Sequence, residues 1–196
     1  MKYNKNGRNL LCGTVLLAVL IAAAGCGSRS LEVYRDQNMD IGSVYTVAVM
    51  PFVNLSRDQQ AAERVRDVFM TMLLADGRVY VVPPGEVVRQ VGMAGIANPS
   101  SPTIEDVIRL GKLLKAQGII TGVIKEYGEV RSGSASANVI ALSIQLTEVD
   151  TGKVVSSVSS TKGGIGFFER LFGGGGEPMN VVTEKAIKDV ISKILQ

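Results

Sequence analysis

Apolar residues form one long run near the start of this chain and a succession of shorter periodic segments behind it. The long run covers residues 10–27 and contains no charged residue. Three shorter runs rich in Val, Ile and aromatic residues predict buried strands, and they cover 44–53, 78–82 and 118–127. Helices are predicted where apolar residues recur every three or four positions, and these segments are 57–75, 84–91, 103–117 and 179–195.

Two further apolar strands, at 139–149 and 153–161, are separated by Asp150-Thr151-Gly152, a tight-turn sequence that predicts a hairpin. Two helix starts carry capping signals, namely Ser56 with Gln59 and Thr103 with Asp106. Helices and strands first alternate and then give way to strands in series. This order predicts an α/β fold, a mixed β-sheet flanked by helices.

The leading apolar run has the layout of a secretory signal, because Lys2, Lys5 and Arg8 precede it and small residues end it. The segment from Ala23 to Cys26 resembles the lipobox of bacterial lipoproteins, whose cysteine is acylated and becomes the mature N-terminus. That family usually has Leu where this chain has Ala23. The alternative is a transmembrane anchor, since a run of about 20 apolar residues spans a bilayer.

Three regions follow from the lipobox: a signal peptide at 1–25, a tether at 26–42 and a folded domain at 43–196. The tether is polar and includes a short predicted strand at 31–34. Acyl chains on Cys26 would hold the protein on a membrane without crossing it. Because Gly27 rather than Asp follows the cysteine, resemblance to the sorting rule of enteric bacteria implies the outer membrane, at its periplasmic face.

Removal of the predicted signal leaves 18 basic and 18 acidic residues, so the mature protein is neutral. Binding to nucleic acid depends on surplus Lys and Arg that neutralise phosphates, and we therefore predict no nucleic-acid partner. The chain has two cysteines, of which Cys12 lies in the signal and Cys26 is the acylation site. No disulfide is predicted.

Catalytic chemistry has few candidates in this sequence. Histidine is absent, which removes the commonest general base and metal ligand. An enzyme would depend on carboxylates such as Glu126 with Glu129, or Glu148 with Asp150, which are expected as solvated charges at strand ends. We predict no catalytic residue, metal site or cofactor. Four serines are expected on an exposed strand face; they are Ser156, Ser157, Ser159 and Ser160.

A glycine-flanked aromatic segment carries the most specific interaction signal. In GGIGFFERLFGGGGEP, apolar side chains would share one side of a helical turn; they are Phe167, Phe168, Leu171 and Phe172. One interpretation is a loop that folds back on the core. The other is a contact with the membrane or a neighbouring subunit, since a clustered exposed apolar patch marks an interaction site. Gly173–Gly176 is not a phosphate loop, because Glu177 and Pro178 follow it.

The order of segments resembles the CsgG family, outer-membrane lipoproteins of curli secretion. The residues that carry the resemblance are the lipobox Cys26 and the motifs VAVMPFVNLS, LLADGRVYVV, GIITGVIKEY, IALSIQLTEVDTGKVVSSVSSTK and EPMNVVTEKAIKDVISKIL. Similar elements occur in penicillin-binding-protein activators and in TolB N-terminal-like periplasmic domains. In the CsgG family each subunit donates two β-hairpins to a pore, and the corresponding positions here are 128–138 and 163–178. Neither stretch has the alternating apolar pattern of a membrane strand.

Two functional hypotheses follow, both non-enzymatic. The resemblance implies a homo-oligomeric, ring-forming or accessory part of an envelope assembly or export system of the curli-secretion type. The alternative is a regulatory binding module that activates a cell-wall synthase, as the penicillin-binding-protein activators do. The two hypotheses differ in the expected partner, which is a second copy in the first and another envelope protein in the second.

Overall fold

The computed structural model describes residues 30–38, 41–166 and 174–196. Within these ranges the strands are β1 Ser30–Arg35, β2 Thr46–Val49, β3 Val53–Asn54, β4 Tyr80–Val81, β5 Gly118–Ser132, β6 Ala135–Glu148, β7 Val154–Gly163 and β8 Gly174–Gly175. The helices are α1 Ala61–Asp76, α2 Pro84–Ala94, α3 Ile104–Leu114 and α4 Met179–Ile194, with a 3-10 turn at Ile41–Ser43. The predicted α/β class is confirmed.

The described strands form one mixed sheet in the order β1-β7-β6-β5-β2-β4, with β3 beside β5 and β8 beside β6. β2, β3 and β4 run parallel to their neighbours because helices return the chain to the same end of the sheet. β5, β6, β7 and β1 are antiparallel. The turn at 150–152 joins β6 to β7, which confirms the predicted hairpin.

Helices pack on both faces of the sheet but cover them unequally. α1 and α4 pack on one face over a core that includes Phe69, Leu73, Ile120, Ile144 and Ile187. α2 and α3 cover a smaller cluster on the other face, built on Ala48, Met50, Val82, Leu110 and Ile119. The smaller layer rests on β2, β4 and the start of β5, and no helix of the described residues covers the β6, β7 and β1 side of that face.

The first predicted strand, 44–53, is divided into β2 and β3 by Met50-Pro51-Phe52. Pro51 has no N–H to give to the ladder. The pairing with β5 resumes after it, and the Leu55 N–H donates to the Ile124 carbonyl oxygen at 2.9 Å. Arg66 of α1 satisfies the carbonyl oxygens of Val49 and Met50 at 2.7 and 3.0 Å. Burial lowers the pKa of this guanidinium.

One of the two predicted capping signals is confirmed. Thr103 and Asp106 exchange side-chain and backbone hydrogen bonds of 3.2 Å at the start of α3. The prediction for Ser56 is wrong, because α1 begins only at Ala61. Ser56 Oγ instead bonds to Asn54 Oδ1 at 2.7 Å. The Asn54 side chain organises the connecting turn by donating to the Asp58 carbonyl oxygen.

The predicted tether contains a strand of the sheet. Ser30–Arg35 pairs along its whole length with β7, from Ser30 opposite Thr161 to Arg35 opposite Ser156. All six residues are exposed, as expected for an edge strand. The sheet therefore begins before residue 43, and three residues, 27–29, lie between Cys26 and β1.

The serines of β7 do not share one exposed face as predicted. Ser156 and Ser160 are 0 and 1 % exposed on the α4 side, and their Oγ atoms have no hydrogen-bond partner among the residues that the structure describes. Ser157 and Ser159 are half-buried on the opposite side. Alternation along a strand places adjacent serines on opposite faces, so a Ser-Ser pair cannot lie on one face.

Candidate functional site

Several chain segments come together at one end of the sheet. Because β1 and β7 are antiparallel with Ser30 opposite Thr161, the start of β1 lies beside the end of β7. β7 ends at Gly163, which pairs with Val139 of β6. Ser30, where the described chain begins, and Gly163, where the chain leaves β7, therefore lie at the same end of the sheet.

The β5–β6 hairpin extends past β3 and β7 at this end, and β8 pairs with it there. A β-bulge between Ile124 and Glu126 marks the place where β5 passes the end of β3, while β6 stays paired with β7 as far as Val139. Bulges bend the strand that carries them. The turn at Gly133 has a φ of +60°, a backbone conformation that favours glycine. We call residues 128–138 the hairpin tip.

One side of the hairpin tip is polar. Arg131 donates two hydrogen bonds, of 2.8 and 3.1 Å, to one carboxylate oxygen of Glu129. This guanidinium, and secondarily Ser136, holds the pKa of Glu129 below its ordinary value. The Arg131 side chain is nevertheless 76 % exposed, so its remaining N–H donors face solvent.

Asn138 connects the hairpin tip to both ends of the glycine-flanked segment. Its carbonyl oxygen accepts from the Gly164 N–H at 2.9 Å. Its side-chain Nδ2 donates to the Glu177 carbonyl oxygen, also at 2.9 Å. β8 lies between these points and runs parallel to β6, with Ala135 opposite Gly174. Asn138 was not predicted from the sequence, because a single amide on a polar strand carries no signal.

The chain segments that flank the residues predicted to make the site lie at this end of the sheet. Cys26, Phe167, Phe168, Leu171 and Phe172 lie outside the described residues. The chain on either side of the phenylalanines is described up to Gly166 and from Gly174. Both flanks lie at the hairpin tip, and Ser30, four residues after Cys26, lies at the same end of the sheet, level with Ala141.

The α4 side of this end is held by two ion pairs. Lys185 of α4 pairs with Glu177, and Lys162 of β7 pairs with Asp189 of α4. The Lys162–Asp189 pair is partly buried, with side chains 18 and 31 % exposed. The Lys185–Glu177 pair thereby fixes the C-terminal end of the glycine-flanked segment to α4.

A second feature lies on the sheet face that α2 and α3 leave uncovered. A cleft of about 620 Å³ opens there between the sheet and the loop before α3. Its lining is mainly hydroxyl, amide and small apolar groups, including Tyr34, Ser100, Thr121, Gln145 and Thr147. Beside it, Ser143 Oγ and Ser159 Oγ are 2.6 Å apart across β6 and β7. Periodicity gave no indication of this cleft, because it depends on where helices stop covering the sheet.

The carboxylates considered for catalysis do not form a reactive pair. Glu126 and Glu129 are three residues apart on β5, which places their side chains on opposite faces of the strand. Glu129 is bound by Arg131. Glu148 accepts a 2.6 Å hydrogen bond from Thr151 Oγ1 within the β6–β7 turn. In the described ranges, His, Cys, Asp and Glu form no group of three that could hold a metal ion.

Among the helices of the described ranges, none is both long and apolar enough to span a bilayer. α1 and α4, of 16 residues each, are the longest of these. Each has buried residues on the side that packs against the sheet.

Solved structures share this fold at low sequence identity. The PelC dodecamer from Paraburkholderia phytofirmans is similar with a TM-score of 0.57 and 15% identity, over 85% of this chain and 97% of that chain. Lipoprotein GNA1162 from Neisseria meningitidis is similar with a TM-score of 0.55 and 17% identity, over 76% and 97%. The LpoB C-terminal domain from Escherichia coli gives a TM-score of 0.48 with 14% identity, over 74% and 92%. No protein-family model and no curated protein matches the chain.

Proposed function

We propose that this protein is a non-enzymatic lipoprotein of the outer membrane, facing the periplasm, and that copies of it assemble as a subunit of an envelope assembly or export system. The observation that carries the proposal is the common location of three features at one sheet end. These are the start of β1 close behind Cys26, the hairpin tip, and both flanks of the phenylalanine segment. An anchor and an apolar contact segment at one end give every copy the same orientation on a membrane.

The similar structures support this proposal through the fold. GNA1162 is described as a lipoprotein and PelC as a dodecamer. Subunits that are anchored in one membrane with one orientation can assemble around an axis normal to it. Repeated head-to-tail contacts then generate a ring. The fold that this chain shares with PelC is therefore compatible with a ring of anchored copies.

Phe167, Phe168, Leu171 and Phe172 are the proposed contact with the membrane or a neighbouring subunit. The test combines Phe168→Asp with Phe172→Asp in the acylated full chain in detergent. A matched control carries Leu74→Asp and Val88→Asp, which change two apolar side chains of α1 and α2 that are 59 and 65 % exposed. We expect the control to remain oligomeric and the phenylalanine variant to be a folded monomer by native mass spectrometry and negative-stain imaging.

Each part of the proposal has its own refuting result. Intact-mass analysis that finds Met1 retained or Cys26 without acyl chains would refute the lipid anchor. A wild-type protein that remains monomeric at every concentration would refute assembly. A phenylalanine variant that loses its fold would show that the segment belongs to the core.

The open cleft supports a second candidate, a regulatory module that binds another envelope protein such as a cell-wall synthase. Its hydroxyl and amide groups lie on a sheet face that no described helix covers. Gln145→Arg together with Thr121→Arg would block the cleft without altering the hairpin tip. Loss of partner capture from solubilised envelopes with unchanged self-assembly would favour this candidate, whereas loss of assembly alone would favour the first.

A further inference from the structure

We propose that the connection between Cys26 and β1 is too short for the domain to stand clear of its membrane, and that it holds the hairpin tip in the lipid headgroup layer. This inference rests on the proposed acylation of Cys26. The occupant of this surface is the phospholipid headgroup region of the bilayer that carries the anchor. Two lengths measured from Ser30 lead to this conclusion, the reach of the anchor and the projection of the hairpin.

The first length is the reach of the anchor. Ser30 is the fourth residue after Cys26, and a fully extended chain spans at most 3.3–3.6 Å per residue, so the four steps give about 14 Å. Ser30 therefore lies within about this distance of the level at which acyl chains enter the bilayer.

The second length is the projection of the hairpin beyond Ser30. Ser30 is level with Thr161, and Thr161 is level with Ala141. The hairpin continues from Ala141 to its turn at Ser134, seven residues further. At a rise of about 3.3 Å per residue the projection is about 23 Å, and the bulge at Ile124/Glu126 makes this an upper value.

The projection exceeds the reach by about 9 Å, which is more than the headgroup layer of about 5–7 Å on each side of a bilayer. An upright sheet would place Ser134 about 9 Å deeper than Cys26, which is past the inner boundary of the headgroups. The strands must lean by roughly 50° from the membrane normal before the turn rises to the level of Cys26, even with the linker fully extended. At every smaller angle the turn lies deeper in the membrane than Cys26.

The chemistry of the hairpin tip fits a headgroup layer rather than the hydrocarbon core. Its turn consists of small polar residues at 132–134, all exposed. Arg131, which is largely exposed beside Glu129, has N–H donors that remain available to a phosphate oxygen. Such a surface can exchange hydration for headgroup hydrogen bonds without burying an unpaired charge.

A fluorophore on a single cysteine tests the contact, because the acylated protein has no other free thiol. Ser134→Cys labels the hairpin turn, and Asp150→Cys labels the exposed β6–β7 turn at the opposite end as a control. The labelled full chain is reconstituted into vesicles of phosphatidylethanolamine and phosphatidylglycerol with a headgroup nitroxide quencher. We expect several-fold greater quenching and a blue-shifted emission at position 134 and neither at position 150.

The proposal fails if the label at 134 behaves as in water while the protein floats with the vesicles. A protein that does not float would refute the lipid anchor, which is a separate failure. A second variant inserts about 12 Gly/Ser residues after Gly27, adding roughly 20 Å of r.m.s. reach. Quenching at 134 should then fall while flotation persists. Quenching that is independent of linker length would overturn the argument that the short connection holds the tip in place.

Discussion

Gly163 lies so close to Asn138 that a Cβ atom on the glycine would be 2.0 Å from the Asn138 carbonyl oxygen. The glycine also has a φ of +84°. Backbone contact and left-handed conformation together exclude any other residue at the point where β7 ends. This contact fixes the direction in which the chain leaves the sheet towards the phenylalanine segment.

Replacing Gly163 by alanine should lower the free energy of unfolding by roughly 2–4 kcal/mol, through a backbone clash and left-handed strain. Gly164→Ala is the matched control, because Gly164 has a similar φ of +91° but open space around the Cβ position. Its loss should be only about 1 kcal/mol. Urea unfolding followed by circular dichroism measures both values. Equal losses would show that the contact with Asn138 contributes nothing beyond the backbone conformation.

Asn138→Ala should loosen the second flank of the phenylalanine segment, because it removes the 2.9 Å bond to the Glu177 carbonyl oxygen. Removing one neutral hydrogen bond costs about 1 kcal/mol. Hydrogen exchange should accelerate at 174–180 and remain unchanged in α1 and α3. Ser143→Ala, on the same strand but away from this segment, should leave exchange at 174–180 as in the wild type.

Gly111 and Gly92 are helical glycines in opposite environments. A Cβ on Gly111 would lie 2.2 Å from Val149 Cγ2, whereas one on Gly92 would meet nothing within 4 Å. Gly111→Ala should destabilise the domain by about 1–3 kcal/mol by forcing α3 away from the sheet. Gly92→Ala should stabilise it by about 0.4–1 kcal/mol by restricting the unfolded chain. Thermal melts of the two variants should move in opposite directions, and a shared direction would contradict this account of α3 packing.

The capping box at the start of α3 should make stability depend on pH in acid. The hydrogen bond from the Thr103 backbone N–H, together with the Thr103 hydroxyl and Arg109, lowers the pKa of Asp106. A carboxyl whose pKa is lower in the folded state stabilises the protein above its unfolded pKa, and this contribution is lost as pH falls through the folded value. The loss should therefore occur below about pH 4.

Asp106→Asn should reduce the slope of unfolding free energy against pH in this acid range. Glu105→Gln changes the neighbouring carboxylate and leaves the capping box intact, so it serves as the control. Chemical denaturation at a series of pH values provides the measurement. An identical pH slope in wild type and Asp106→Asn would refute a role for this carboxylate in acid stability.

The sequence alone predicted those features that depend on local patterns. Thr103 and Asp106 were identifiable because a capping box is defined within four residues. The α/β class, the β6–β7 hairpin and α4 followed from periodicity and turn residues. Ser56 was misassigned because its spacing from Gln59 fits a capping box. In the structure its hydroxyl bonds instead to the Asn54 side chain, which lies closer in the turn.

Only the tertiary structure decided where these segments meet. The sequence predicted a short strand at 31–34, and β1 confirms it, but no pattern in residues 30–35 reveals that this strand pairs with the edge of β7. That pairing places Ser30 beside Thr161 and reduces a predicted 17-residue tether, 26–42, to three residues before the sheet. The pairing of Ser30 with Thr161, 131 positions apart, sets the length of the connection. The sequence determined a candidate anchor at Cys26 and an apolar segment at 167–172, and strand pairing decided that their attachment points share one end of the sheet.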